Sequence, residues 1–393
     1  MKKIKIMSFA AAAVLVSAAS FTSCANDEDG AGAPIAASDN AITYRLGMGT
    51  RALGTTPGNY LDQVNDFKVW GYFAVGATGT GVTEGSQYVG SADNGVIING
   101  DGTGAWTNAD PSQISYWPAA TAPLNFQAVT PAADASFTIE NNVSNKLAHV
   151  VANVTVPTDN ALQRDIMFAT APSITGAASS WKVPLQFKHG LSQIVFNGKV
   201  NSNEISANVK QITVCNIQQK GKVGFLSSAD ASGAVNLASE ITGNNLAKFD
   251  LGMADAVNGT DIAYSADPSA KEELTSTDGD GQHTGALLML PQNTTKWTPV
   301  AGTPVTNSDD SYIVVECKIK NGSVYLVGDD STYGKIYIPF AAAWEMGKKY
   351  TYTLNIGTGE GAYDDNGNPL IHVISYSVAV DDWTPVNGGN ILP

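Results

Sequence analysis

Two arginines six positions apart, Arg45 and Arg51, stand in the stretch "AITYRLGMGTRALG". The chemistry open to them is not catalysis but being cut, since a trypsin-like or arginine-specific protease cleaves after such residues. Cleavage after Arg45 removes Ile42 and Tyr44 and leaves Leu46 and Met48 behind. Cleavage after Arg51, between Arg51 and Ala52, removes all four, and Gly47, Gly49 and Gly54 give the chain the freedom to reach a protease. Arg51 is the preferred site and the Arg45–Leu46 bond the alternative.

A second reactive residue is Cys24. Lys2, Lys3 and Lys5 form a basic start, and an apolar, alanine-rich run from 7 to 20 follows. That run is shorter than the roughly 20 residues needed to span a bilayer, so residues 1–23 read as a signal peptide. It ends in "SFTSC", which resembles a bacterial lipobox with Phe21 where Leu is commonest. The resemblance implies a covalent lipid, palmitate included, on Cys24 as the first mature residue; the plainer reading is secretion with a free Cys24. Each buried acyl CH₂ contributes about 0.8 kcal/mol to membrane anchoring. Asp27, Glu28 and Asp29 come next. They read either as a solvated linker or, by resemblance, as a surface-export signal of Bacteroidales lipoproteins.

The elements that position these residues are strands. Ile42, Tyr44, Leu46 and Met48 alternate with smaller or polar residues, the period of a half-buried strand over 41–51. Fully burying the four side chains stabilises a fold by about 6–12 kcal/mol, comparable to the net stability of a whole domain. Such a strand leaves only if its backbone is cut. Further short runs recur between Gly, Asn and Asp turns, among them "FKVWGYFAV" (67–75), "LNFQAV" (124–129), "VPLQF" (183–187), "SQIVFNGKV" (192–200), "KQITVCNI" (210–217), "SYIVVECKIK" (311–320) and "VISYSVAVDDW" (373–383). No long helical period is present, although "AAAWEMG" (341–347) fits a helical turn. The expectation is an all-β chain of sandwich type. Residues 24–40 read as a tether, and the Ser- and Gly-rich stretch at 172–180 as a boundary between domains at 41–180 and 181–393. The polar stretch at 226–284 is too long for an ordinary loop and is expected to hide short strands.

Composition excludes several function classes. Net charge is −14 over 393 residues, which argues against a nucleic-acid partner, because phosphate binding needs a basic face. Four histidines form neither HExxH nor a nucleophile elbow; His149, His189 and His372 read as structural, and no enzyme, cofactor or metal is expected. "DGDG" (278–281) and "DDNGN" (364–368) hint at calcium loops, but Met289 and Ser375 stand where an EF-hand has its bidentate Glu, so turns are the better reading. Cys317 shares a strand face with Ile313, Val315 and Ile319. A disulfide from it to Cys215 is open in an oxidising compartment. Seven tryptophans raise the alternative of a lipid-anchored surface protein that stacks sugars on exposed rings, against which Trp70 and Trp117 fall in core-like strands.

The order of motifs resembles the Bacteroidales fimbrillin family of FimA-like and Mfa-like pilins. The pieces are Cys24, "TRAL" (50–53), "FKVWGYF" (67–73), Trp106, "YWP" (116–118), "LNFQA" (124–128), "PLQFKHGLSQIVFN" (184–197), "LLMLPQ" (287–292), "GKKYTYTLNI" (347–356) and "SYSVAVDDWTP" (375–385). The resemblance implies two transthyretin-like β-sandwich domains in tandem. It also implies export as an outer-membrane lipoprotein precursor, cutting by an arginine-specific protease, and assembly into a surface fimbrium that serves adhesion to a host or bacterial receptor. Loss of the first strand opens a groove that a strand from a sibling subunit fills, the donor-strand form of strand addition. Partners are then further copies of this chain or other fimbrial subunits. The donor is expected in the C-terminal tail, where Val386, Ile391 and Leu392 supply apolar side chains, although Pro385 and Gly388–Gly389 weaken a strand there. An uncleaved anchor or tip subunit is the alternative within the family.

Overall fold

The structure is a computed structural model that describes residues 40–46, 51–52, 63–370 and 374–383, with breaks at 80, 92–93, 102–104, 119–121, 145–146, 177–181, 227–235, 279–281, 358 and 360. Among the described residues there is no α-helix; three short 3-10 turns are the only helical pieces. The strands that carry the architecture run in order β1 (Thr43–Leu46), β2 (Asp66–Phe73), β3 (Leu124–Thr130), β4 (Phe137–Ser144), β5 (Leu147–Thr155), β6 (Met167–Ile174), β7 (Lys182–Leu185), β8 (Ser192–Val200), β9 (Ile205–Gln218), β10 (Lys220–Gly224), β11 (Tyr312–Asn321), β12 (Val324–Val327), β13 (Gly334–Pro339), β14 (Lys348–Ile356) and β15 (Ile374–Asp382).

Strand alternation explains why the first sheet is buried on both faces. β2 lies between β3 and the Val96–Gly100 strand, and β3 continues to β6. From β2, Phe67, Val69 and Phe73 point to one core, while Trp70 and Tyr72 point to the other. β3 repeats the pattern: Leu124, Phe126 and Ala128 go one way and Val129 the other. The first core is closed by β1 and β7, which contribute Ile42, Tyr44, Val183 and Leu185. The second is closed by the β4–β5–β10 sheet through Phe137, Val150, Ala152 and Val223.

Two further sheets form from the remainder. β8 pairs in parallel with β14, and β14 antiparallel with β15. Facing them, β9 pairs with β11, which also takes β12 and β13. Ile194, Phe196, Tyr352 and Leu354 from the first set share a core with Val209, Val214, Ile313, Val315 and Ile338 from the second. That core is continuous with the second core of the first sheet. Residues 182–189, placed in the second domain by sequence, hydrogen-bond to strands of the first half: β7 to β1, and Lys188–His189 to β6. The polar stretch at 226–284 holds short strands at Ala238–Ile241, Leu246–Asp250, Thr260–Ile262 and Glu272–Glu273.

One expectation changes, and a pairing that the sequence left open is decided. Residues 341–347 form no helical turn: Ala343 bridges Asn293, and the Trp344 amide donates to the Gln292 carbonyl at 2.9 Å. Burial of Ala342 and Trp344 fixes an extended path there, overriding alanine's helix propensity. Cys215 and Cys317 are both free thiols. Cys215 sits opposite Tyr312 and Cys317 opposite Val209, so they are far apart along the ladder. They also belong to different cores, because a register shift between Val209 and Gln211 turns β9 over. Val209, opposite Cys317, faces one core, and Cys215, beyond the shift, faces the other.

Candidate functional site

The site is the seat of β1. One edge of the strand pairs in parallel with β7, Thr43 opposite Lys182 through Leu46 opposite Leu185. Just before it, the other edge is also engaged. The Ile42 amide donates to the Ser115 carbonyl at 2.9 Å, the Trp117 amide donates to the Asn40 carbonyl at 2.8 Å, and Ala41 bridges Tyr116. The segment from 40 to 46 is thus held on one edge at 40–42 and on the other at 43–46. Taking it away leaves donors and acceptors along two edges without partners, which is costly in any site shielded from water.

Side chains divide as the alternation demands. Ile42 and Tyr44 are 3% and 6% exposed. Leu46 is half-buried against the same core, and Thr43 and Arg45 face solvent. The Tyr44 ring meets Phe67 edge-on at 5.6 Å and Phe126 at 6.4 Å. Burial pushes its phenol far above the ordinary tyrosine range. Trp117 packs on Phe126 at 5.8 Å, and Phe187 on Phe67 at 5.6 Å, completing an aromatic wall. Ile42 and Tyr44 alone contribute about 3–6 kcal/mol from apolar burial, with Leu46 half-buried beside them.

Arg51 and Ala52 pair in parallel with Gln63 and Val64, so the preferred scissile bond sits in extended backbone just past the strand. Arg45 lies inside β1 itself, opposite Pro184. A protease must unpair the four-residue β1 to reach the Arg45 bond, and only the two-residue pairing of Arg51 and Ala52 to reach the preferred one. Met48, Cys24 and the candidate donor residues Val386, Ile391 and Leu392 lie outside the described residues.

At the other end, β15 is an edge strand paired only with β14 among the described residues. Ile374 is buried and Tyr376 half-buried on its inward face, but Val378 and Val380, which follow on that face, are 48% and 51% exposed. The strand therefore extends beyond the core that its first half covers.

The remaining candidates are structural. His189 is buried with its Nδ1 2.6 Å from Asp165 Oδ2, and His149 Nδ1 lies 3.0 Å from the Phe225 carbonyl. His372 is outside the described residues. Asp364 accepts from the amides of Asn366 and Asn368, both at 2.9 Å, closing a turn. Trp70, Trp106, Trp117, Trp297, Trp344 and Trp383 are all buried, which leaves none of them as a sugar-stacking platform. Sequence reasoning did not find β7 as the partner of β1. The Val183, Leu185, Phe187 alternation marked a strand there, but only the fold brings it to residue 44.

A model of the fimbrillin-like family matches residues 50–383. The chain belongs to the fimbrillin-like family. Among solved structures, a fimbrial protein from Bacteroides vulgatus matches this fimbrillin-like chain with a TM-score of 0.52 at 15% identity, covering 88% of this chain and 100% of that one. A fimbrilin from Porphyromonas gingivalis matches with a TM-score of 0.41 at 12% identity, covering 89% and 99%. The first of these shows a shared fold. A search of curated proteins returns no match.

Proposed function

We propose that this fimbrillin-like protein is a structural subunit of a surface fimbrium, not an enzyme, and that it polymerises by exchanging its first strand for one from a sibling. Its two pairs of packed sheets read as two transthyretin-like sandwiches in tandem. Exported as a lipoprotein precursor on Cys24, it is cut between Arg51 and Ala52, and the fimbrium then serves adhesion at the cell surface. The observation that carries the reading is the seat of β1: a segment held on one edge at 40–42 and on the other at 43–46, two side chains fully buried and an arginine bond just beyond it. Cutting that bond frees the strand from chain connectivity. An extended donor with apolar side chains two residues apart then satisfies the same backbone groups and the same wall. The donor is the tail after Trp383, with Val386, Ile391 and Leu392, aided by the half of β15 that covers no core.

The test is mild trypsin treatment of purified precursor, followed by denaturing electrophoresis without boiling. A ladder of oligomers that appears only after cleavage supports the proposal. Cleaved protein that stays monomeric at every concentration overturns it.

A further inference from the structure

A shallow cavity of about 280 Å³ lies on the outward face of the sheet formed by β9, β11, β12 and the Thr260–Ile262 strand. Its floor comes from cross-strand register. Asp261 stands opposite Asn208, and Asn208 opposite Lys318; in a second row, Ser206 stands opposite Lys320, and Lys320 opposite Tyr325. Asn208 Nδ2 donates to Asp261 Oδ1 at 2.8 Å, leaving fixed amide and carboxylate groups side by side. Tyr325 and Tyr333 complete the lining.

The ammonium groups are held by rings. Lys320 Nζ lies 4.3 Å from the Tyr325 ring centre, and Lys318 and Lys210 lie 4.6 and 5.0 Å from that of Tyr333. Such contacts fix a cation without neutralising it. Lys318 spends one of its three donors on the Asp330 carbonyl, at 2.8 Å. The carboxylates at this face are engaged too: Asp330 accepts from the Tyr325 hydroxyl at 2.7 Å, and Asp261 from Asn208.

The walls are rigid. Asp329 accepts from the amides of Ser331 and Thr332, at 2.8 and 2.7 Å, which closes the loop beside Tyr333. Asp255 accepts from the amides of Val257 and Asn258, at 3.0 and 2.8 Å. The Tyr333 hydroxyl lies 2.6 Å from the Asn258 carbonyl oxygen and 2.8 Å from Asn208 Oδ1, tying the two turns to the floor. A face ordered in this way loses little entropy when a ligand binds.

From this arrangement we infer that the cavity is a binding site for a carboxylated saccharide, of the uronate or sialate class. The sugar acid meets Lys318 and Lys320, and ring hydroxyls meet Asn208, Asp261 and Ser206. On a chain of net charge −14, the cavity lining sets Lys318 and Lys320 against the single carboxylate of Asp261. Asp255, Asp329 and Asp330 stand further out in its walls. An acidic group therefore gains only where it meets the two ammonium groups directly. The mixture of fixed donors and acceptors beside the lysines suits hydroxyls and is not needed by a bare anion. This inference is independent of strand exchange, because the cavity is built on strands of the second half and exists in the uncut protein.

The experiment is titration calorimetry on the uncut protein with oligogalacturonate and with sialyllactose, which separate the two sources of acid. A neutral maltooligosaccharide and sodium sulfate are the controls. Saturable binding of at least one acidic probe is expected, with none of the neutral sugar and no competition by sulfate. Lys318→Ala combined with Lys320→Ala is expected to weaken it by about tenfold or more, the scale of lost charge-assisted hydrogen bonds, at an unchanged urea midpoint. Failure of both acidic probes to bind, equal binding of the neutral sugar, full competition by sulfate, or undiminished affinity in the double variant each overturns the inference.

Discussion

The indole of Trp383 lies flat on the imidazole of His189, with ring centres 3.8 Å apart and planes 6° from parallel. Both are buried, and the Trp383 amide donates to the Gly347 carbonyl at 2.9 Å. His189 belongs to a short strand on β6 and is itself held by Asp165. The stack therefore ties the end of β15 to the first sheet. Replacing Trp383 with Ala is expected to cost about 3–5 kcal/mol, the usual loss for a large buried aromatic, read from urea unfolding. Trp383→Phe keeps a ring on the imidazole and should cost less than half as much. Amide exchange across 374–382 should quicken in the alanine variant and not in the phenylalanine one.

Tyr44→Ala removes the ring that meets Phe67 and Phe126. In uncut protein it is expected to lower stability by about 3–5 kcal/mol. After cleavage at Arg51 and loss of the strand, wild type and variant should unfold at the same urea concentration, since the substituted residue has left. A difference that persists after cleavage would show that the strand stays in its seat.

Stability should fall at both ends of the pH scale, for different groups. Burial raises the phenols of Tyr44, Tyr72, Tyr312 and Tyr352 above the ordinary range. The unfolded chain ionises its tyrosines near pH 10, so their contribution is intact below about pH 10 and declines as pH rises through it. Asp329 is lowered chiefly by its bonds from Thr332, Asp255 by those from Asn258, and Asp364 by those from Asn368. Their contribution is present above about pH 4, the unfolded carboxylate value, and is lost as pH falls below it. Urea midpoints across the pH range check both limbs.

Cys215 and Cys317 should stay unlabelled by a thiol reagent in the folded protein. Burial pushes their thiols up to about 11 and about 12, and the thiolate is the reactive form. Peptide mapping should find both labelled once the chain is unfolded, and no Cys215–Cys317 bond after air oxidation.

Val378 and Val380 are half-exposed on the far end of β15. Changing both to Lys is expected to leave monomer stability within about 0.5 kcal/mol, as for surface positions generally, and to block elongation if that face is covered in the polymer. Deleting 384–393 should likewise give a folded monomer that does not elongate. Oligomer ladders after trypsin treatment read out both, and ladders of normal length from either variant would remove the C-terminal end from the account.

Local patterns made much of this legible. Ile42 and Tyr44 alternate, and so do the residues of β2, β3, β9 and β11, because a sheet face facing a core writes a period of two into the chain. What stayed hidden is set by distant residues. Nothing near Val183 says that it closes over Tyr44, and nothing near Trp383 names His189. The register shift between Val209 and Gln211 separates Cys215 from the face of Cys317, although each strand looked alike in isolation. Ala341 to Ala343 carry a helical bias that burial of Trp344 overrides. The half of β15 beyond Tyr376 alternates like any core strand, and only the fold shows that its core ends there.

The central claim is that a cut after Arg51 releases the strand and commits the subunit to a sibling. N-terminal sequencing of subunits recovered from assembled fimbriae tests it most directly. The account predicts that nearly every copy begins at Ala52; subunits that instead begin at an acylated Cys24, with Ile42 and Tyr44 still attached, would contradict it.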